Sequence, residues 1–194
     1  MHFSLASFLT TATFVGTAWS HGIITTPAPR AVGAASLAAC GSGVTKLIRA
    51  DNTSHVEGLP EIAATDNAYK AADCNLWLCK GLQLADNKAN VQNFTAGQTL
   101  DMLIWIRIPH AGTANVSVVD TKTNQVIGEP LISFRDYADQ SLPTLPKNNT
   151  NFSVTIPKGL EKRCATAGQC ILQWYWYGVA AKQTYESCVD FIIV

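Results

Sequence analysis

Gln98-Thr-Leu-Asp-Met-Leu-Ile-Trp-Ile-Arg-Ile108 is the stretch whose reading decides the fold class. Leu100, Met102, Ile104, Ile106 and Ile108 alternate with Asp101, Leu103, Trp105 and Arg107, a period of two that suits a strand and not a helix. Leu103 and Trp105 in the second row predict a strand with both faces largely covered. Strand-like runs continue downstream. Ala114 to Val119 and Gln125 to Gly128 flank Asp120-Thr-Lys-Thr-Asn124, which reads as a hairpin connection. Phe152 to Ile156, Ile171 to Val179 and Cys188 to Val194 complete the series, while residues 135–151, with Pro143, Pro146 and an Asn/Thr run, read as a loop.

Upstream the pattern is different. From His21 to about Gly43 the chain is punctuated by Thr26-Pro27-Ala28-Pro29-Arg30 and glycines, too broken for a long helix. Residues 44–97 mix turn residues, short helical patterns such as Ile62 to Ala72, and the pair Cys74 and Cys79. Such a segment reads as a decorated insertion that carries function on a rigid scaffold. The expected fold is all-β: an immunoglobulin/fibronectin-like antiparallel β-sandwich with a long loop and short-helix insertion between early strands.

The 194 residues hold 14 Lys+Arg against 14 Asp+Glu, and this balance argues against a nucleic-acid partner, which demands surplus cations. Phe3 to Ala18 carries no Lys, Arg, Asp or Glu and ends in Ala18-Trp19-Ser20, which fits a secretory cleavage site. Residues 1–20 are therefore expected to be a signal peptide, and residues 21–194 a single secreted, extracellular domain that begins with histidine. No later stretch is long and apolar enough to cross a bilayer, so no membrane partner is expected; the domain is expected to be a monomer.

Cysteine usage agrees with secretion. Six cysteines all fall after residue 20, and five Asn-x-Ser/Thr sequons start at Asn52, Asn93, Asn115, Asn148 and Asn151. A cytosolic metal-binding set would want paired Cys-x-x-Cys, and only Cys74-x4-Cys79 and Cys164-x5-Cys170 occur. Six cysteines allow about fifteen pairings. The short spacings favour Cys74–Cys79 and Cys164–Cys170, leaving Cys40–Cys188.

The strongest chemical signal is positional. An N-terminal His21 offers its α-amine and its own ring to one metal, and an α-amine titrates near pH 8, so a metal can displace its proton near neutrality. One further imidazole gives a three-nitrogen, tetragonal set with open positions, which favours copper over zinc. A histidine left at that place by accident of cleavage is the bland account. His110 follows the strongest strand in Ile108-Pro109-His110-Ala111, and His55 lies early in the insertion. Either alone is more often a solvated histidine than a ligand. Gln183 and Tyr185, two apart and ahead of Cys188, would share one strand face. Taken alone they describe a core tyrosine with a hydrogen-bonded glutamine.

Read together, these landmarks carry a resemblance. His21-Gly22 followed by Pro27-Ala28-Pro29-Arg30 resembles the opening of lytic polysaccharide monooxygenases and chitin-binding type-4 domains. Ser54-His55-Val56-Glu57-Gly58 resembles the Ser-Val-Glu-Gly segment of chitin-active members, and Ile104 to Thr113 resembles the segment holding their second copper histidine. Gln183-x-Tyr185-x-x-Cys188 matches the pattern of fungal cellulose-active members. The resemblance implies a mononuclear copper site with His21 and His110 as the histidine brace, Tyr185 axial, and Gln183 and Glu57 orienting an oxygen species. It also implies O2 or H2O2 as co-substrate, an external electron donor, and oxidation at glycosidic C1 or C4 of a chitin- or cellulose-type polysaccharide. Trp77, between Cys74 and Cys79, is a candidate for stacking on that polysaccharide, or else a plug in a small disulfide loop.

Other functions fare worse. A type-1 copper carrier wants a Cys-His-Met cluster, yet Met102 is the one methionine after residue 20. A glycosidase needs two converging carboxylates, and nothing pairs Glu57, Glu61, Asp66 or Asp73. A serine hydrolase of the nucleophile-elbow type would show Gly-x-Ser-x-Gly, which is absent. The serious alternative is a non-catalytic protein that uses the same brace to handle copper, or a module that binds polysaccharide.

Overall fold

The computed structural model describes residues 21–194; the expected signal peptide, residues 1–20, lies outside them. Among the described residues nine strands form two sheets. β1 (His21–Thr26), β3 (Thr99–Ile108) and β7 (Asn151–Thr155) make a three-stranded antiparallel sheet in the order β1-β3-β7. The second, six-stranded sheet runs β2-β9-β8-β4-β5, built from β2 (Gln92–Phe94), β4 (Gly112–Asp120), β5 (Gln125–Val126), β8 (Cys170–Gly178) and β9 (Gln183–Ile193). β6 (Ile132–Tyr137) also pairs with β4. β2 runs parallel to β9, so the sheet is mixed rather than purely antiparallel.

The core between the sheets is what the alternation promised. Leu100, Met102 and Ile104 of β3 face inward with Ile24, Phe152 and Val154 against Val116, Val118, Trp174, Trp176, Val189 and Phe191. The other row of β3 is exposed, Trp105 at 51% and Leu103 at 40%. Both-face burial belongs instead to β8 and β9, because the insertion packs on the outside of the six-stranded sheet. The predicted hairpin forms: Val119 pairs with Val126, and Asp120 Oδ1 accepts the N–H groups of Lys122 and Thr123 in the turn. β6 runs into the segment expected to be a loop from residue 135, because Tyr137 is buried and donates its hydroxyl to the Asn149 carbonyl at 2.5 Å.

The insertion contains a helix where none was expected. α1 (Ala34–Ala50) is Ala-rich, a composition that favours helix, and it survives Gly41 by kinking there at φ 79°. Its first turn has no side-chain cap of its own. Asp86 supplies one from across the insertion, accepting the N–H groups of Ala35 at 2.8 Å and Ser36 at 2.7 Å. Asp66 does the same after the kink, accepting Gly43 N–H at 2.8 Å. α2 (Leu59–Ala64) is shorter than the Ile62 to Ala72 pattern and starts earlier, with Pro60 in its first turn. Ala39, Val44, Ile48, Val56, Leu59 and Leu76 give this insertion a small core of its own.

Two of the three expected disulfides are different. The bridges are Cys40–Cys74, Cys79–Cys188 and Cys164–Cys170; only the last agrees with the expectation. Sequence proximity misleads because Cys79, Lys80 and Gly81 all take positive φ, turning the chain away from Cys74. Cys74 then faces α1 while Cys79 faces β9, so the two bridges fasten the insertion at two points. Loop-closure entropy ranks them by span: Cys79–Cys188 closes 109 residues and Cys164–Cys170 closes 6. Paired Cys→Ala changes should therefore cost about 4–5 kcal/mol for the first bridge and about 2 for the last. Urea unfolding of the two variants checks this, together with non-reducing peptide mapping for the pairing itself.

Candidate metal centre

β1 begins at His21, and its antiparallel register places His21 opposite Ile108 at the exit of β3. His110 follows two residues later, so two imidazoles from neighbouring strands reach one end of the sandwich. Gly22 is required beside them, since a Cβ there would lie 2.9 Å from the Trp174 ring and 3.3 Å from that of Trp176. Gly112 is required just past His110, because a Cβ would lie 1.9 Å from the Tyr177 carbonyl oxygen. These two close approaches seat both histidines on the sheets.

Both rings are buried, His21 at 5% and His110 at 6% exposure. His21 Nε2 lies 2.8 Å from Asp51 Oδ2. An ionised carboxylate can only accept, so Nε2 of the neutral ring carries the proton and Nδ1 the lone pair. Burial would raise the Asp51 carboxyl, but hydrogen bonds from Thr53, with His21 and the Arg107 guanidinium alongside, hold it below the usual carboxylate range. Burial, together with the neighbouring His21, holds His110 below the ordinary histidine range and keeps it neutral, the form that binds metal. Its Nδ1 is buried with no hydrogen-bond partner among the described residues. An unpaired buried imidazole nitrogen costs about 1–3 kcal/mol, and a polar ligand arriving at the ring would offset that.

The C-terminal motif sits at the same end. Tyr185 pairs across to Trp176, and Trp176 pairs with Ala114, four residues beyond His110. Tyr185 and Gln183 share a face as their spacing requires, and the Tyr185 hydroxyl donates to Gln183 Oε1 at 2.5 Å. The Tyr185 ring stacks on Trp176 with centroids 4.6 Å apart, and Trp176 in turn backs Gly22.

His55 and Glu57 reach this cluster from the insertion. The His55 ring meets Tyr185 edge-on at 6.3 Å, and Nδ1 lies 3.2 Å from Glu57 Oε2. Glu57 accepts the Thr184 N–H through both oxygens, at 2.8 and 2.9 Å. Although burial raises the Glu57 carboxyl, hydrogen bonds from His55 and Thr184 bring it below its ordinary value, so near neutral pH it accepts and does not donate protons.

The expected residues thus fall into two groups, His21 near His110, and Tyr185 with Gln183 and His55, which Glu57 joins through His55 and Thr184. Trp77 belongs to neither. Its backbone oxygen accepts from Asn124 in the turn after β4, at the strand end remote from His110. Eight residue steps along β4 put it about 26 Å away. It is 48% exposed, and it plugs no disulfide loop because Cys74 and Cys79 are not joined. Asp51 escaped sequence reasoning, since nothing local marks an aspartate after a helix as a histidine partner. Among the described residues no group of three or more His, Cys, Asp or Glu is placed to hold a metal, so a site here needs a donor that is not one of those side chains. Cleavage ahead of His21 would supply such a donor as its α-amine.

The sequence family described as lytic polysaccharide mono-oxygenase, cellulose-degrading, matches residues 21–191. The chain belongs to this lytic polysaccharide mono-oxygenase family. Its members are copper-dependent polysaccharide monooxygenases. Solved relatives of the family chain are distant. A chitin-binding domain from Burkholderia pseudomallei is 12% identical, over 90% of this chain and all of that one, with a TM-score of 0.48. The catalytic domain of a lytic polysaccharide monooxygenase from Listeria monocytogenes is 16% identical, over 90% and 99%, with a TM-score of 0.45. The cellulose-active monooxygenase CelS2 in complex with copper is 15% identical, over 89% and 98%, with a TM-score of 0.47. None of the curated proteins matches the chain.

His110→Ala should weaken copper binding by more than the roughly 10–100-fold that loss of an outer partner costs, and remove one nitrogen from the copper paramagnetic spectrum. His55→Ala should leave the nitrogen count unchanged, because its ring is engaged by Glu57 and Tyr185. Calorimetry and electron paramagnetic resonance on the mature protein check both.

Proposed function

We propose that the chain is a secreted enzyme, cleaved ahead of His21, that uses one copper ion to cleave a β-linked polysaccharide of the chitin or cellulose type by oxidation. The observation that carries this reading is the pair of buried histidines on adjacent strand ends, one with an orphaned ring nitrogen. Family membership over residues 21–191 supports the reaction class. Three disulfides support an oxidising, extracellular destination.

The α-amine and ring of His21 with the ring of His110 would hold the ion, a nitrogen-only set suited to copper. Bound there, copper supplies one-electron chemistry with an external reductant and activates O2 or H2O2. The remaining roles belong to the protein. Tyr185, buried and braced by Trp176, would close the inner side of the centre. Gln183 accepts the Tyr185 hydroxyl proton through Oε1, so its amide N–H groups are left to donate to an oxygen ligand or the substrate. Glu57 holds β9 through Thr184 and His55 through its ring, and so sets the distance between the insertion and the tyrosine.

Mass spectrometry of products from chitin, cellulose, xylan and starch, with copper and ascorbate, tests the reading. Oxidised oligosaccharides are expected from chitin or cellulose. Tight copper binding with no oxidised product from any of the four would make this a copper-handling protein instead. Gln183→Ala should keep copper binding and lower product yield about 10-fold, because its amide acts on the oxygen ligand and not on the resting ion.

A further inference from the structure

We infer that Asp51 is the positioning residue that fixes His21 as a chelating ligand and sets the electron density it gives the metal. The inference rests on the metal-centre reading above. A histidine amine can close a six-membered chelate only with Nδ1 of its own ring; Nε2 lies on the far side. Asp51 Oδ2 sits at that far side, 2.8 Å from Nε2. It therefore holds the tautomer whose Nδ1 carries the lone pair.

The carboxylate is fully engaged. Its Oδ1 accepts from Thr53 N–H at 2.9 Å and from the Thr53 hydroxyl at 2.5 Å. Its Oδ2 takes His21 and, at 3.3 Å, Arg107 Nη1. The segment that carries it is tied down on every side. Asp51 N–H donates to Leu47 O at the end of α1, the buried Lys80 Nζ donates to Asn52 O at 3.0 Å, and Gly22 N–H donates to Thr53 O at 3.1 Å. That last bond joins the aspartate's own turn to the residue after His21, so carboxylate and imidazole are carried on directly hydrogen-bonded backbone. Asp51 and Arg107 also line a cavity of about 550 Å³ beside β1 and β3, which leaves the guanidinium solvated while the histidine is not.

Two opposite effects follow. A carboxylate accepting the Nε2 proton makes Nδ1 more basic and favours the oxidised metal. Asp51→Asn keeps the shape and removes the charge. It should weaken Cu(II) affinity about 10–100-fold and raise the Cu(II)/Cu(I) potential. Arg107 draws charge from the same oxygen, so Arg107→Ala should shift the potential the other way, downward. A residue that merely shaped the loop would not produce shifts of opposite sign.

The experiment is titration with copper(II), followed by voltammetry and electron paramagnetic resonance, on the mature protein and the two variants. Opposed shifts with a changed nitrogen coupling in Asp51→Asn are the expected result. Wild-type affinity and potential in both variants, with a three-nitrogen spectrum in the parent, would overturn the role of Asp51 and leave the metal centre standing. A parent protein without nitrogen-bound copper would overturn the metal-centre reading and this inference with it. Arg107 is half exposed, so its variant decides the question even if Asp51→Asn fails to fold.

Discussion

Antiparallel pairing of β1 with the exit of β3 puts His21 opposite Ile108, and every other feature of the centre is arranged around that register. A slip of one residue would turn Ile24 out of the core and the histidine out of its pocket. The register is held by packing that cannot tolerate alternatives. Trp174 and Trp176 occupy the space where a side chain at position 22 would go, and Ile24 is buried among Leu100, Met102 and Ile104. His21, the first of the described residues, is thus as firmly seated as a residue in the middle of the sandwich.

The insertion serves the same end from outside. Its two helices bury a small core of their own, and disulfides at Cys40–Cys74 and Cys79–Cys188 fasten it to itself and to β9. The turn after α1 then presents Asp51 to His21, and the stretch before α2 presents His55 to Tyr185 and Glu57 to Thr184. Each half of the centre therefore combines a strand end from the sandwich with a side chain from the insertion. A ligand set spread across elements this way gains its precision from the scaffold and not from local sequence.

What the sequence made legible follows the range of the forces involved. Alternation along β3, the β4–β5 hairpin and the strands β7 and β8 are local patterns, and all are present close to their expected bounds. α1 was hidden because its caps, Asp86 and Asp66, come from the far side of the insertion. β1 and β2 are short segments whose pairing partners are distant in the chain, and β6 sits against a proline-bearing loop. The cysteines misled for the same reason: three consecutive residues with positive φ undo what spacing suggests. In the centre, His21, His110, Tyr185 and Gln183 stood out by position and spacing. Asp51 did not, since an aspartate at a helix end has a dozen ordinary uses.

In the proposed centre the amine of residue 21 joins the two histidine rings on one copper ion. Calorimetric titration of copper(II) into the chain that begins at His21, and into the same chain carrying one extra residue before it, separates the amine from every other donor. Tight one-to-one binding by the first and a loss of about two orders of magnitude or more in the second is the predicted result, since the extra residue turns the chelating amine into an amide. Equal affinity in the two chains would show that the amine is no ligand, and would contradict the account.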